Sequence, residues 1–251
     1  MNSDRVLLIL AAGKSSRFGG FPKAFCRFGG EYLAQKTADL ASAYYGTIYI
    51  AVNDEVYPAY KDAVKGCRMI HIPTGQGDSH SFLRALRLIV KDNECERITL
   101  CWGDTAYLDK TVFGSAAEAA DMLSEDLVGV SLCSVDKDPY AWYETEGGVI
   151  RRSNFRTDAR RVGQGLHDQS IFVFDTKKII KQLESYMVFL GIKDEEDYVN
   201  SSVSKEMKLL HSFTFFYENG LDPMGCSEIP SGMSFSFNTM DEYEQLKKII
   251  A

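Results

Sequence analysis

A chain of 251 residues is long enough to bury a full core, and 45% hydrophobic with 25% charged residues excludes a disordered polymer. The formal charge of −7 excludes a general nucleic-acid binder, which needs a basic stripe, while a bound nucleotide needs only local positive charge. Six cysteines, at 26, 67, 95, 101, 133 and 226, form no Cys-x-x-Cys pair and no zinc spacing; with no membrane-length apolar run and no fitting signal peptide, they read as reduced thiols of a cytoplasmic protein.

The β-prone run Val6 to Leu10 ends in Ala11-Ala12-Gly13-Lys14-Ser15-Ser16-Arg17, then Phe18-Gly19-Gly20-Phe21-Pro22-Lys23. Small residues let a ligand sit directly on backbone N–H groups, and Lys14, Arg17 and Lys23 place cations around it, so the expected ligand is a polyphosphate. A Walker A loop is disfavoured, because Leu8 stands where its first glycine belongs. The dinucleotide fingerprint fails as well, since Ser15 and Phe18 occupy its second and third glycine positions.

The pattern Ala11-Ala12-Gly13-x-Ser15-x-Arg17 followed by Pro22-Lys23 resembles the loop of the nucleotidyltransferases that activate sugars, polyols and alcohols by joining them to a nucleotide. Only Phe18 to Phe21 separate Arg17 from Pro22, which is similar to the molybdopterin guanylyl- and cytidylyltransferases and near the methylerythritol-phosphate cytidylyltransferases. Hexose-1-phosphate nucleotidyltransferases usually have a longer loop there. The resemblance implies nucleotide contacts from Leu10, Ala11, Ala12, Gly13, Lys14 and Ser15, with Arg17 and Lys23 acting on the phosphates.

Further along, Glu31 to Tyr45 has roughly helical spacing, Thr47 to Val52 reads as a strand, Asp54 to Lys65 as a helix and Arg68 to Ile72 as a strand. Alternation of this kind predicts a parallel sheet whose ligands bind beyond the carboxyl ends of its strands. Pro73 to Ser81 is a glycine-bearing loop that opens a helix over Phe82 to Lys91, capped by Asp78 or Ser79. Gly75 to Leu86 looks like the base-reading loop of the methylerythritol cytidylyltransferases, which implies contacts to cytosine from Gly75, Gly77 and Ser81, with Gln76 a further candidate. A plain capped turn is the alternative, and His80 is read as a spectator. Arg97 to Trp102 is a strand ending in Gly103-Asp104, where a carboxylate suits Mg²⁺ shared with phosphates. This Gly-Asp matches the superfamily's metal-binding aspartate.

Thr111 to Ser124 reads as a helix, Leu127 to Ser134 as a strand, and Pro139 to Arg152 as a β-hairpin turning at Glu146-Gly147-Gly148. Hairpin and following strand resemble the acceptor side of sugar-phosphate nucleotidyltransferases, and the insert is longer than the molybdopterin enzymes lead one to expect. Arg151, Arg152, Arg156, Arg160 and Arg161 are candidates for the acceptor phosphate, Arg151 and Arg160 foremost; most belong to a solvated face. Tyr140, Trp142 and Tyr143 are candidates to box a quaternary ammonium, with hairpin packing as the alternative. His167-Asp168 looks like a dyad, yet no serine motif accompanies it. Thr176 to Met187 and Asp194 to Leu210 read as helices, Phe213 to Tyr217 and Met233 to Phe237 as strands, and Thr239 to Glu242 as a capping box. Resemblance carries a second metal contact to Asn238, and more weakly to Asp241.

These readings predict a three-layer α/β/α Rossmann-like, mostly parallel sheet with a β-hairpin acceptor-side insert, in one domain over 1–251. Residues 1–135 form its nucleotide-binding core, 136–235 its acceptor portion and 236–251 a helix returning to the core. The expected activity is Mg²⁺-dependent transfer of CMP from CTP to a phosphorylated small alcohol, polyol or sugar for a surface polymer or lipid. A sugar-1-phosphate enzyme using UTP, GTP or dTTP and a non-catalytic nucleotide-binding relative are the alternatives. No nucleic acid or membrane partner is expected, and a homodimer stays open.

Overall fold

The computed structural model describes residues 4–156, 162–194 and 206–250, with Arg17 described in its backbone alone. In chain order the elements are β1 (Val6–Leu10), β2 (Arg27–Phe28), β3 (Glu31–Tyr32), α1 (Leu33–Ala41), β4 (Thr47–Val52), α2 (Tyr57–Tyr60) and β5 (Arg68–His71). Then come α3 (Asp78–Asp92), β6 (Arg97–Trp102), β7 (Thr105–Tyr107), α4 (Thr111–Asp121), β8 (Gly129–Lys137), β9 (Ala141–Glu146) and β10 (Val149–Phe155). The last are β11 (Gln164–Asp175), α5 (Thr176–Leu190), α6 (Leu209–Glu218), β12 (Met224–Glu228), β13 (Ser234–Ser236) and α7 (Met240–Ile250).

All of β1 is buried, as an apolar strand between two layers must be. Its alternate residues serve opposite faces: Val6, Leu8 and Leu10 pack with α3, α5 and α6 through Leu83, Leu86, Ile179, Leu183 and Phe213, while Leu7 and Ile9 pack with α1 and α4 through Ala38, Val112 and Phe113. Each such side chain contributes about 1.5–3 kcal/mol relative to exposure. This is the expected three-layer α/β/α sandwich. A third cluster joins Phe18, Phe28 and Leu33 to Phe237 and Leu246, so α7 packs over the segment that follows the first loop.

The main sheet has the order β5-β4-β1-β6-β11-β8-β12-β10-β9. Its first four strands are parallel, as the alternating pattern predicts. Beyond β6 the parallel order is interrupted by two strands of opposite direction, β11 and β10. There β11 runs antiparallel to both β6 and β8, β12 is parallel to β8, and β10 is antiparallel to β12 and β9. The hairpin forms where expected, its turn made by Gly147 and Gly148 at φ 59° and 81°, angles an L side chain resists.

Two local expectations fail for identifiable reasons, and a third is only partly described. The helix expected over 54–65 shrinks to α2, because only Val56 and Val64 of that stretch are buried and no continuous apolar stripe exists to hold more turns. Phe213 to Tyr217, read as a strand, lies in α6, where Leu209, Ser212, Phe213 and Phe216 share one buried face at helical spacing. Of the helix expected over 194–210, residues 195–205 lie outside the described residues, and α6 begins only at Leu209.

Candidate active site

The loop after β1 is shaped by ties on its back. Ala11 donates its N–H to Ala51 O at 2.8 Å, Gly103 donates to Leu10 O at 2.9 Å, and Asn53 Nδ2 reaches Ala12 O at 3.1 Å. Among the described residues no protein acceptor takes the N–H of Ala12, Gly13 or Ser15. Ser15 holds a left-handed conformation, φ 48°, and its carbonyl accepts from Phe18 and Gly20. A non-glycine residue held there stores strain at a turn whose backbone donors face a ligand space. Gly103 is required for contact rather than for a turn, since a Cβ there would meet Ala11 Cβ at 2.9 Å.

Opposite this loop, Lys23 lies buried after Pro22, and its ammonium donates to Asp104 Oδ2 at 2.7 Å, Phe237 O at 2.9 Å and Asn238 Oδ1 at 3.2 Å. Three residues far apart in sequence thus meet at one point. They meet because β7 and β13 pair as a ribbon: Asp104 precedes β7 and Asn238 follows β13. The turn into α7 is fixed by the expected capping box, with Thr239 N–H donating to Glu242 Oε2 at 3.0 Å and Glu242 N–H to Thr239 Oγ1 at 3.2 Å. Asp241 is an exposed acid in the first turn of α7.

A cleft of about 450 Å³ opens between the loop and α3. Leu10 to Ser15, Lys23, Gly75, Gly77, Ser81 and Asp104 border it, so the sequence-expected phosphate and base segments face one space. Gln76 does not border it: its N–H donates to His80 Nδ1 at 3.1 Å and its carbonyl accepts from Met207 at 2.6 Å, behind the loop. His80 is fully buried, and burial together with Arg84 pushes its ring down to about 4, so it serves as a neutral acceptor.

Sequence reasoning missed part of this wall. Asp78, Trp102, Glu206 and Lys208 also border the cleft. The 206–208 segment locks onto the glycine loop: Ser79 N–H donates to Met207 O at 3.0 Å, and a Cβ on Gly77 would lie 2.5 Å from that oxygen. Asp78 Oδ1 accepts the N–H of Leu209 at 2.7 Å. Its carboxyl opens to the cleft but is ringed by protein, and this enclosure pushes it up to about 6 against the pull of two backbone N–H groups. The glycines at 75 and 77 were the available signal; the partner segment 130 positions later gave none.

The hairpin residues lie apart from this cleft. Arg151 pairs with Glu146 at 3.1 Å and stands over the Tyr217 ring, Arg152 faces Glu218 and Arg156 faces Asp138. Tyr140 is exposed against Phe155, Trp142 is buried, and Tyr143 is buried with its hydroxyl on Ser131. Arg160 and Arg161 lie outside the described residues.

An anion-ready loop at the carboxyl edge of a parallel sheet, faced by a lysine, an aspartate and an asparagine, belongs to the nucleotidyltransferase class. The sequence matches the MobA-like NTP transferase domain over residues 7–168, and the chain belongs to that family. Its fold is similar to the inositol-1-phosphate CTP transferase from T. maritima, TM-score 0.67 at 16% identity, covering 99% of this chain and 96% of that one. It is also similar to the CTP:phosphocholine cytidylyltransferase from Streptococcus pneumoniae, TM-score 0.66 at 14% identity over 98% and 100% of the two chains. A nucleoside-diphosphate-sugar pyrophosphorylase from Vibrio cholerae RC9 gives 0.67 at 15% over 97% and 99%. At these identities the likeness is one of fold. No curated protein matches the sequence.

Proposed function

We propose that the protein is a cytidylyltransferase that transfers CMP from CTP to a phosphorylated small alcohol, polyol or sugar, releasing pyrophosphate. The observation that carries this reading is the meeting of Lys23, Asp104 and Asn238 beside the loop 11–15. The choice of CTP rests on the glycine loop 75–81 bordering the same cleft, and two of the similar folds carry CTP in their descriptions.

Mg²⁺ fits this site by the chemistry of its donors. Asp104 Oδ2, Asn238 Oδ1 and Phe237 O already converge on one positive charge, the Lys23 ammonium, and all are hard oxygens. Among the described residues no group of three or more His, Cys, Asp and Glu side chains suits a metal, so Asp104 and Asn238 would hold the ion jointly with substrate phosphates. When bound, it supplies charge neutralisation across the triphosphate.

The remaining work falls to the chain. An acceptor phosphate oxygen attacks the α-phosphorus in line and pyrophosphate leaves; the nucleophile is already anionic, so no general base is needed. Backbone N–H groups of 12–15 receive phosphate oxygens, Lys14 serves the leaving pyrophosphate, and Arg17 and Lys23 balance charge as it shifts. Intact Lys23 and Asp104 favour an enzyme over a nucleotide-sensing relative.

Thermal stabilisation by each NTP with Mg²⁺, measured on wild type and Asp104→Ala, tests the reading. A shift with CTP that weakens in the variant is expected, since ligand at 100 times Kd stabilises by about 2.7 kcal/mol. A shift with UTP, GTP or dTTP instead transfers the reading to a sugar-1-phosphate enzyme; none with any triphosphate ends it.

A further inference from the structure

The parallel strands stop at the cleft, but β8 and β11 continue past it. Ile171 of β11 pairs with Cys101, so the residues before it overhang the carboxyl end of β6, and Ser134 pairs with His167 in the same overhang. The ladder is broken here. Gln169, Ser170 and Ile171 stand opposite the single Leu132, and Ser170 takes a left-handed φ of 61°. The distortion is held by Asp168, whose Oδ1 accepts the Ser170 N–H at 3.0 Å, and by Tyr107, whose hydroxyl donates to Ser170 O at 2.6 Å.

Its effect is to aim Gln169 sideways at β8. The Gln169 amide donates to Ser134 Oγ at 2.7 Å and to Asp136 Oδ2 at 3.4 Å, Ser134 donates to Asp136 Oδ1 at 3.1 Å, and Ser234 donates to Gln169 Oε1 at 3.0 Å. Gln169 and Ser134 are buried; Asp136 is only half-buried. A carboxylate offers about four acceptor positions, and this network uses two of them. The unused acceptors of Asp136 are held in a fixed direction by partners that are themselves packed.

The β7–β13 ribbon ties this network to the phosphate point. At one end Thr105 pairs with Ser236, next to Asp104 and Asn238; at the other Tyr107 pairs with Ser234, which reaches Gln169. Two residue steps separate the ends, about 7 Å at the usual strand rise. Ser134 and Asp136 also share the sheet face of Leu132, which packs in the cluster holding Ala24 and Phe25 next to Lys23.

We propose that Gln169, Ser134 and Asp136 hold the hydroxyl groups of a phosphorylated polyol or sugar acceptor while its phosphate lies toward Lys23 and Asp104. This deepens the cytidylyltransferase reading and rests on it. An acid at one end and cations at the other orient such a molecule in one direction, because Asp136 repels the phosphate and accepts from hydroxyls. A quaternary ammonium has no N–H to donate and needs an aromatic box, yet Trp142 is buried, Tyr143 is committed to Ser131 and Tyr140 packs on Phe155.

The test is calorimetric titration of wild type, Asp136→Asn and Gln169→Met. A non-hydrolysable CTP analogue with Mg²⁺ is added first, then ribitol 5-phosphate, glycerol 3-phosphate, glucose 1-phosphate or phosphocholine. Wild type is expected to take at least one hydroxylated phosphate in preference to phosphocholine. Asp136→Asn, which keeps shape and melting midpoint, weakens that binding about tenfold or more, Gln169→Met weakens it as well, and the analogue binds all three proteins within twofold. Preference for phosphocholine, no binding of any hydroxylated phosphate, or an Asp136→Asn protein that binds as wild type does overturns this inference and leaves the nucleotide reading standing. Failure of the CTP analogue to bind wild type overturns both.

Discussion

The two halves of the sheet gather their polar groups by different means. On the β1 side, the segments that face the cleft follow strand ends: 11–15 after β1, Gly75 to Ser81 running from the loop after β5 into the first turn of α3, and Gly103-Asp104 after β6. On the β8–β11 side no loop motif marks the place; a bulge, an overhang and a ribbon bring Ser134, Asp136, Gln169 and Ser234 together. The contrast teaches that a phosphate-ready loop can be stored locally in a chain, whereas the network proposed for the acceptor is a property of strand register.

The sharpest way to break this comparison is at the joint between the halves. Asp104→Ala removes the carboxylate on Lys23 and one proposed metal ligand, so the turnover rate is expected to fall by one to three decades, about 2–4 kcal/mol of transition-state stabilisation. Pyrophosphate release measured at saturating CTP checks it. A variant within threefold of wild type would mean that charge handling lies elsewhere in the cleft.

A second effect belongs to the nucleotide half alone. His80 holds the glycine loop as a neutral ring, its value pushed down to about 4 from an ordinary 6.5. As pH falls below about 6.5 the unfolded chain takes a proton that the folded protein refuses, so this stability is complete above that pH and lost progressively toward pH 4. The loss amounts to roughly 3 kcal/mol at most. Urea midpoints from pH 7 to 4.5 are expected to fall more steeply for wild type than for His80→Gln, which accepts from Gln76 without titrating. Parallel curves would show that the ring ionises in place.

Legibility in the sequence follows the same division. The Ala11 to Ser15 loop, Asp104 and the Thr239 to Glu242 cap could be read because each depends on neighbours within a few positions, and each forms in the structure. Asn238 was reachable only by resemblance, and its approach to Lys23 depends on a contact 215 positions away in sequence. β12 went unread because Met224 to Glu228 offers only two apolar side chains, Met224 and Cys226, and no β-branched or aromatic residue; Gly225 is there since a Cβ would press to 2.9 Å on Leu127. Phe213 to Tyr217 misled because an aromatic run favours a strand in isolation, and only packing against β10 and α5 makes it helical. The Gln169 network is invisible to motif reading, as nothing in Asp168-Gln169-Ser170 announces a bulge.

The smallest expected effect is the most useful for deciding which way the acceptor lies. Arg151 looked in the sequence like a phosphate ligand, yet in the structure it lies on an exposed hairpin, paired with Glu146 and stacked over Tyr217, with its side chain half open to water. Exposed pairs of this kind contribute between about 0 and 1 kcal/mol, and replacement of such a residue usually changes stability by no more than about 0.5 kcal/mol. Arg151→Ala is therefore expected to leave KM for both CTP and acceptor within twofold and the melting midpoint nearly unchanged. A tenfold rise in acceptor KM alone would place the far end of the acceptor on the hairpin, while its phosphate stays at the nucleotide, where it attacks. The molecule would then extend from the Lys23 and Asp104 point toward Arg151 rather than toward Asp136.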